Sequence, residues 1–461
     1  MALLCATCVL GSCALAPAPK RTALQAEALP NTKVPASYAA GGVVAPVRDE
    51  WITEFRDPEL DALVKEALAY NADLRVAQAR VEQAAGYLRA SGATLYPQVN
   101  LLARGGGKMS DSSGLSGIGL FVNWELDLWG RVRAGQAFAG EQYAAAQLDA
   151  EYARQSIAAL VAKGWFLATE ARMQKAQATA MRTSSEQLVS LSQDRLRVGR
   201  GDEYDVALAQ ASVASLRDTE RSLEASYQQA LRGIETLAGR YPAAAIAAPP
   251  GLPTWPGDVP VGLPSELMER RPDVVAAERR VAGAFYRTEE AKAARLPRIT
   301  LTASVTSISS ELFVLQNHDN PVVSLGAQLL QPIFLGGQLQ AQVEVRNAEQ
   351  KQAIAEYARV GSRAFAEVED ALSNGFALAD RETILAVAVR ENARGLELAG
   401  VRYRVGSGDL RGVQQQQLAL YAAQVALLRV RAERLVQRVN LHLALGGSFD
   451  ARPVPVASTV R

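Results

Sequence analysis

The most constraining feature of this sequence is an internal duplication. Residues 71–81 (NADLRVAQARV) align with residues 271–281 (RPDVVAAERRV), and Pro97 aligns with Pro297. The segment AEYAR at Ala150–Arg154 recurs at Ala355–Arg359, and the pattern Arg-x-Arg-Val-Gly-x-Gly-Asp stands at Arg195–Asp202 and again at Arg402–Asp409. Three matches in one order, separated by 200, 205 and 207 residues, define two copies of one unit. A chain of 461 residues would otherwise suggest two or three independent domains. Here each element is expected in duplicate instead.

Each copy parses in the same way. Leu60, Leu63, Val64, Ala67 and Leu68 lie at the i, i+3, i+4 spacing of one buried helical face, within a helix expected from about Pro58 to Thr94. Its counterpart is expected from Pro264 to about Arg295. After Pro97 and Pro297 the period changes to two. Ile299 to Thr306 alternates apolar with polar residues, as do Val122–Leu128 and Val323–Leu329, and a weaker strand starts at Val99. Loops rich in Ser, Gly and Asp separate the paired strands, so each copy carries one β-hairpin, at about 98–128 and 298–333. Proline-free runs from Gly130 to Val198 and from Gly337 to Val405 follow, each long enough for about 100 Å of helix. The turns Gly199-Arg200-Gly201-Asp202 and Gly406-Ser407-Gly408-Asp409 then send the chain back through helices ending near Gly239 and Gly446. Each copy reads as a rod of paired helices with a β-hairpin at one end and a Gly-Asp turn at the other.

Charge and rare residues narrow the function. With 49 Lys and Arg against 48 Asp and Glu, there is no basic surplus for nucleic acid. No stretch of about 18 apolar residues is present, which argues against a helical membrane protein, although alternating strands spread a lipid face over every second residue. His318 and His442 are far apart, and all 3 cysteines lie in the first thirteen residues. Gly105-Gly106-Gly107-Lys108 lacks the spacing of a phosphate-binding loop. No catalytic or metal-binding constellation and no cofactor is therefore expected.

The apolar start of the chain, ending in small residues, reads as a secretory signal over residues 1–12. Leu10-Gly11-Ser12-Cys13 resembles a bacterial lipobox, in which Cys13 becomes the lipidated N-terminus. An ordinary signal peptide with an incidental cysteine is the alternative. Ala14 after the cysteine resembles the pattern sent to the outer membrane.

With this duplicated frame in place, the chain resembles the outer membrane factor family, the TolC-like exit ducts of bacterial drug efflux and type I secretion. It is most similar to the NodT-type efflux lipoproteins. The likeness is carried by Cys13, by Asp127-Leu128-Trp129-Gly130-Arg131 after the first hairpin, by Gln331-Pro332-Ile333-Phe334-Leu335-Gly336-Gly337 after the second, and by the paired turns. It spans about Glu50 to Gly447. The resemblance implies a mainly α fold with a transmembrane β-barrel portion: a homotrimer sharing a twelve-stranded barrel in the outer membrane, four strands per chain, and a long α-helical barrel in the periplasm. It implies a passive channel rather than an enzyme, working with a periplasmic adaptor and an inner-membrane efflux pump. In this frame residues 13–49 are a lipid-anchored N-terminal segment, 50–240 and 264–447 the two efflux repeats, 241–263 an equatorial linker and 448–461 a tail. Physics points the same way, because four strands cannot close, and known barrels start at about eight. An exit duct for type I secretion and a lipid-anchored periplasmic coiled-coil scaffold without a pore are the competing readings.

Trp124 and Trp129 bracket the first strand-to-helix junction and Phe334 sits at the second. They are expected as an aromatic belt at the membrane surface, with ordinary packing as the alternative. At the tips, Val198, Gly199, Arg200, Gly201 and Asp202, and Val405, Gly406, Ser407, Gly408 and Asp409, combine glycines that tolerate positive φ with aspartates that cap the returning helix. The resemblance makes these tips the adaptor contacts and the closed entrance. Family members carry acids on the second returning helix, where this chain has Gly412-Val413-Gln414-Gln415-Gln416-Gln417. The gate lining is therefore expected from Asp205 of the first copy and from Gln414 and Gln415, hydrogen-bonding between protomers.

Overall fold

A computed structural model describes residues 15–47, 49–104, 116–309 and 322–448. Its elements are α1 (Arg21–Ala28), α2 (Pro58–Tyr70), α3 (Ala72–Ala93), β1 (Gln98–Arg104), β2 (Ser116–Leu126), α4 (Arg131–Arg197), α5 (Glu203–Leu237), α6 (Pro264–Arg270), α7 (Pro272–Ala293), β3 (Arg298–Ser309), β4 (Val322–Leu330), α8 (Gln338–Arg404) and α9 (Leu410–Ala444). The helices α4 and α8 each have 67 residues and α5 and α9 each have 35, with every start displaced by the same 207 positions.

The single helices expected at 58–94 and 264–295 are each broken in two. Asn71 and Arg271 both adopt extended backbone, with φ −60°, ψ 131° and φ −75°, ψ 122°. Arg271 precedes Pro272, whose ring disfavours the α conformation at the residue before it. Asn71 reaches the same end through its side chain, whose Oδ1 accepts from the N–H groups of Asp73 and Leu74 and starts the next helix. The strands end at Leu126 and Leu330, slightly before the expected limits. Helix α1 lies within the segment read as a lipid-anchored arm.

The chain divides into two compact units, each built from both copies. One comprises residues 1–32, 77–150 and 273–361, the other residues 33–76, 151–272 and 362–461. The copies are thus not domains. In the first unit the strands form one antiparallel sheet in the order β1-β2-β3-β4. Its central pairing, from Ser116↔Ser309 to Leu126↔Ile299, joins the hairpin of one copy to that of the other. There Arg21 of α1 donates to Glu278 of α7 at 2.7 Å.

The second unit holds the main core. Trp51, Phe55, Leu60, Leu63 and Val64 pack with Trp165, Phe166, Leu231, Ile234 and Val439. Asp57 does two jobs there: Oδ1 caps α2 through the N–H groups of Glu59 and Leu60, and Oδ2 accepts from the Trp165 indole at 2.7 Å. Placing a polar partner for the largest buried side chain removes the cost of desolvating its N–H.

Candidate functional site

The register of the sheet sorts its side chains into two faces, because directly paired residues share a face. Val99, Leu101 and Ala103 stand beside Val122, Leu120 and Ile118. Leu120 and Val122 continue into Val305 and Ala303, Trp124 and Leu126 pair with Leu301 and Ile299, and Ile118 pairs with Ser307; on β4 the partners of Ala303, Val305, Leu301 and Ile299 are Leu325, Val323, Ala327 and Leu329. One face is therefore mostly apolar across all four strands. The other carries Asn100, Asn123, Thr300, Thr302, Ser304, Thr306, Ser324 and Gln328, interrupted by Phe121 and Leu102, with Ser304 and Ser324 hydroxyls hydrogen-bonded at 2.7 Å. Leu325 is 85% exposed and Leu329 66%, so much of the apolar face is uncovered. Among the described residues no helix is long and apolar enough to cross a membrane.

At the base of the sheet the expected aromatics are fixed by their polar atoms. The Trp124 indole donates to the Leu95 carbonyl at 2.9 Å and the Trp129 indole to the Pro297 carbonyl at 2.7 Å. Both rings remain partly exposed, and Phe334 is 84% exposed. Tyr96, immediately before Pro97, is a further exposed aromatic at this junction that the sequence reading passed over. Its signal was the Tyr-Pro step directly before a strand. The long helix α4 starts under firm control: Asp127 accepts from the N–H groups of Val132 and Arg133 at 2.9 Å, and Glu125 forms a two-pronged pair with Arg131 at 3.0 and 2.8 Å.

At the tips the aspartates cap as expected, but only one glycine of each pair has a positive φ; Gly201 and Gly408 do not, and a Cβ there would stand 3.1 Å from the Cβ of Arg195 or Arg402. Gly199 and Gly406 have φ of +71° and +82°, which L side chains rarely adopt. Asp202 and Asp409 cap α5 and α9 by accepting from the N–H groups of Asp205 and Gly412 at 2.8 and 2.7 Å. A small core of Ala209, Tyr403, Leu410 and Val413 joins the two hairpins. Arg195 donates to the Tyr403 carbonyl at 3.2 Å and lies 4.4 Å from the ring centroid. Arg411 reaches the Tyr204 hydroxyl at 3.0 Å. Neither Arg–Tyr clasp was read from the sequence, because each joins residues about 200 positions apart that only the fold brings together.

Of the expected gate residues, Gln414 is buried inside its own chain, whereas Gln415 is exposed. Burial, helped by the charges of Asp202 and Asp409 and opposed by Arg195 and Arg411, pushes the Asp205 carboxyl up. Cys13 and His318 lie outside the described residues. Among the described residues no group of three or more His, Cys, Asp and Glu side chains could hold a metal.

A two-faced sheet, exposed aromatics at its base and helices of about 100 Å joined by capped turns are parts from which a membrane channel can be built. The outer membrane efflux protein family matches residues 63–240 and 263–447, one match per copy. Pyoverdine export outer membrane protein OpmQ of Pseudomonas aeruginosa is 32% identical over 472 residues, spanning 98% of this chain and 97% of its own. Outer membrane protein OprJ of the same organism is 31% identical over 455 residues, spanning 96% and 94%. The open state of the Neisseria gonorrhoeae MtrE outer membrane channel superposes with a TM-score of 0.82 at 28% identity, covering 91% of this chain and 97% of that one. The chain belongs to the outer membrane efflux protein family, a family of channels rather than enzymes.

Proposed function

We propose that three copies of this chain form the passive exit duct of a tripartite efflux system, anchored in the outer membrane by a shared barrel and by a lipid on Cys13. One observation carries this reading. The sheet has an apolar face on every strand and two edges, β1 and β4, that are hydrogen-bonded on one side only among the described residues. In lipid each unpaired backbone group costs several kcal/mol, so the edges must meet other strands. Joining β4 of one copy to β1 of the next closes twelve strands, apolar outward and polar inward.

The rest of the mechanism follows from the parts. Substrate would enter at the tips, where the stretches Val198–Asp202 and Val405–Asp409 contact the periplasmic adaptor. Asp205 and Gln415 border that entrance. The hydroxyl and amide groups of the inner sheet face would let polar cargo slide without tight binding. The sequence carries no nucleotide-binding motif, so the energy would come from the inner-membrane pump.

Detergent extracts of the outer membrane fraction should yield a cross-linkable trimer that gives stepwise conductance in planar bilayers. A monomer that stays soluble in water without detergent would overturn the reading. Labelled palmitate should be incorporated into the wild type and not into Cys13→Ser.

A further inference from the structure

Midway along the hairpin of α4 and α5 lies a half-open cavity of about 570 Å³. Helix α4 supplies Lys175 and Arg182 to its wall and α5 supplies Arg217 and Arg221, against two lining carboxylates, Glu220 and Glu224. Cations therefore outnumber acids around the hollow. A third acid, Glu186, stands at its margin, 2.9 Å from Arg182 and 3.0 Å from Arg217. Arg182 also meets Glu220 at 2.9 Å, and Lys175 pairs with Glu224. Arg221 lines the cavity without a salt bridge among the described residues.

The second copy shows the same place without these charges. At the 207-residue displacement that relates α5 to α9, Glu220, Arg221 and Gln228 become Leu427, Leu428 and Leu435, all three buried, and Arg182 becomes Val389. One ion-paired position is kept with its polarity reversed: Lys175 and Glu224 correspond to Glu382 and Arg431, which meet at 2.9 Å. A cross-helix ion pair at this level thus belongs to the shared plan of the hairpin. The exchange of leucine for charge belongs to the first copy alone. That exchange forgoes the burial of apolar area and leaves a hollow where side chains would otherwise pack. Exposed ion pairs contribute little in return, and the Arg217 side chain is 66% exposed. A packing rule kept in one copy and broken in the other marks a site rather than a support.

We propose that this cavity is a binding site for a small multivalent oxyanion, bridged between the cations of α4 and those of α5. Its size lies within the range of small-molecule sites. Guanidinium forks on both helices suit phosphate or carboxylate groups. Exposed ion pairs exchange partners at little cost, so the ligand takes over contacts now held by Glu186 and Glu220. Bound to both helices, it fixes their spacing in mid-hairpin. The site lies within one chain and does not depend on the duct reading.

Calorimetric titration of the full-length protein in detergent with sodium tripolyphosphate tests this, with citrate as a carboxylate probe in a parallel arm. Wild type should bind saturably, with an affinity that falls as salt is raised. Arg221→Gln should weaken binding about tenfold, whereas Glu224→Gln, which removes a competing acid, should tighten it several-fold. Combining Glu220→Leu, Arg221→Leu and Gln228→Leu gives the first copy the lining of the second. That variant should unfold at no lower a temperature than wild type and bind neither anion. Arg390→Gln, at an exposed arginine on α8, should bind as wild type does. Tighter binding of tripolyphosphate than of citrate assigns the site to phosphate groups, and the reverse assigns it to carboxylates. No saturable heat from wild type with either anion, or equal binding by wild type and the leucine variant, would overturn the inference. Should the leucine variant fail to fold, wild-type affinity in both Arg221→Gln and Glu224→Gln would overturn it instead.

Discussion

The two returning helices end on one backbone plan built with different chemistry. In the first copy the Leu237 carbonyl accepts from Asn71 Nδ2 at 2.9 Å, and in the second the Ala444 carbonyl accepts from Arg271 Nη1 at 3.1 Å. Asn71 and Arg271 are the paired residues that break α2 from α3 and α6 from α7. Gly239 and Gly446 follow at φ +73° and +67°, each ending its helix in the left-handed conformation. Two residues before Leu237 and Ala444 stand Glu235 and His442, both fully buried. Glu235 accepts from the N–H groups of Ala244, Ala245 and Ile246 and so holds the start of the linker. His442 stacks on Trp51 at 5.7 Å and lies 3.4 Å from Glu54, which also pairs with Arg438. Positions that must bend or cap have kept their geometry, while buried polar positions have been free to change partner. The first copy ties its helix end with a neutral amide and holds its linker with a buried carboxylate, and the second uses a buried guanidinium and a buried imidazole.

That contrast can be broken experimentally. The largest expected effect is Arg271→Ala, which removes a fully buried guanidinium from Glu367 and from the Ala444 carbonyl and should cost about 3 kcal/mol. Asn71→Ala should cost about 1.5 kcal/mol. Unfolding midpoints in detergent would measure both, and equal losses would erase the distinction. Gly239→Ala falls between these two, at about 2 kcal/mol, because a Cβ would stand 2.8 Å from the Tyr70 carbonyl oxygen at a positive φ. Gly446→Ala should cost less, its nearest atom being the Arg270 carbonyl oxygen at 3.1 Å.

Acid should then separate the copies. Burial holds the His442 imidazole below its ordinary value of 6.5. The unfolded chain takes up that proton first, so the stability His442 contributes is intact above 6.5 and lost as pH falls. At Glu235 burial works against the charge, but the three backbone N–H donors outweigh it and lower the carboxyl from 4.5. Its contribution is intact above 4.5 and lost below. Glu54 behaves likewise: pairing with His442 and Arg438 overcomes its burial and brings it down to about 2. His442→Leu should flatten the stability profile just below pH 6.5, whereas Glu235→Gln should alter only the more acidic limb. The same limb moving in both variants would contradict the assignment. The smallest effects, about 1 kcal/mol each, belong to Asp202→Ala and Asp409→Ala. They should agree within a few tenths, because the two caps are the same structure.

Much of this was legible in the primary structure. The repeat fixed where the long helices begin and end to within a residue, since proline-free runs bounded by glycine leave few other stopping points. Alternation identified the strands because a period of two puts successive residues such as Leu301 and Thr302 on opposite faces. The breaks at Asn71 and Arg271 were missed because the apolar stripe runs through them, although Arg271-Pro272 was a readable stop signal. The exposure of Gln415 beside a buried Gln414 could not be read, because four consecutive glutamines carry no pattern to say which faces inward. The Arg–Tyr clasps depend on tertiary proximity alone.

The pairing of β2 with β3 has a consequence in time. The hairpins β1–β2 and β3–β4 are local, but their shared ladder joins residues about 170 to 190 positions apart, a late and slow kind of contact. Synthesis and export of the first copy therefore leave an orphan ribbon with a greasy side, which can find its mate only after two long helices, the linker and the opening helices of the second copy have followed. The membrane portion cannot be laid down as the chain emerges. Until that last hairpin arrives, the emerging chain needs an escort.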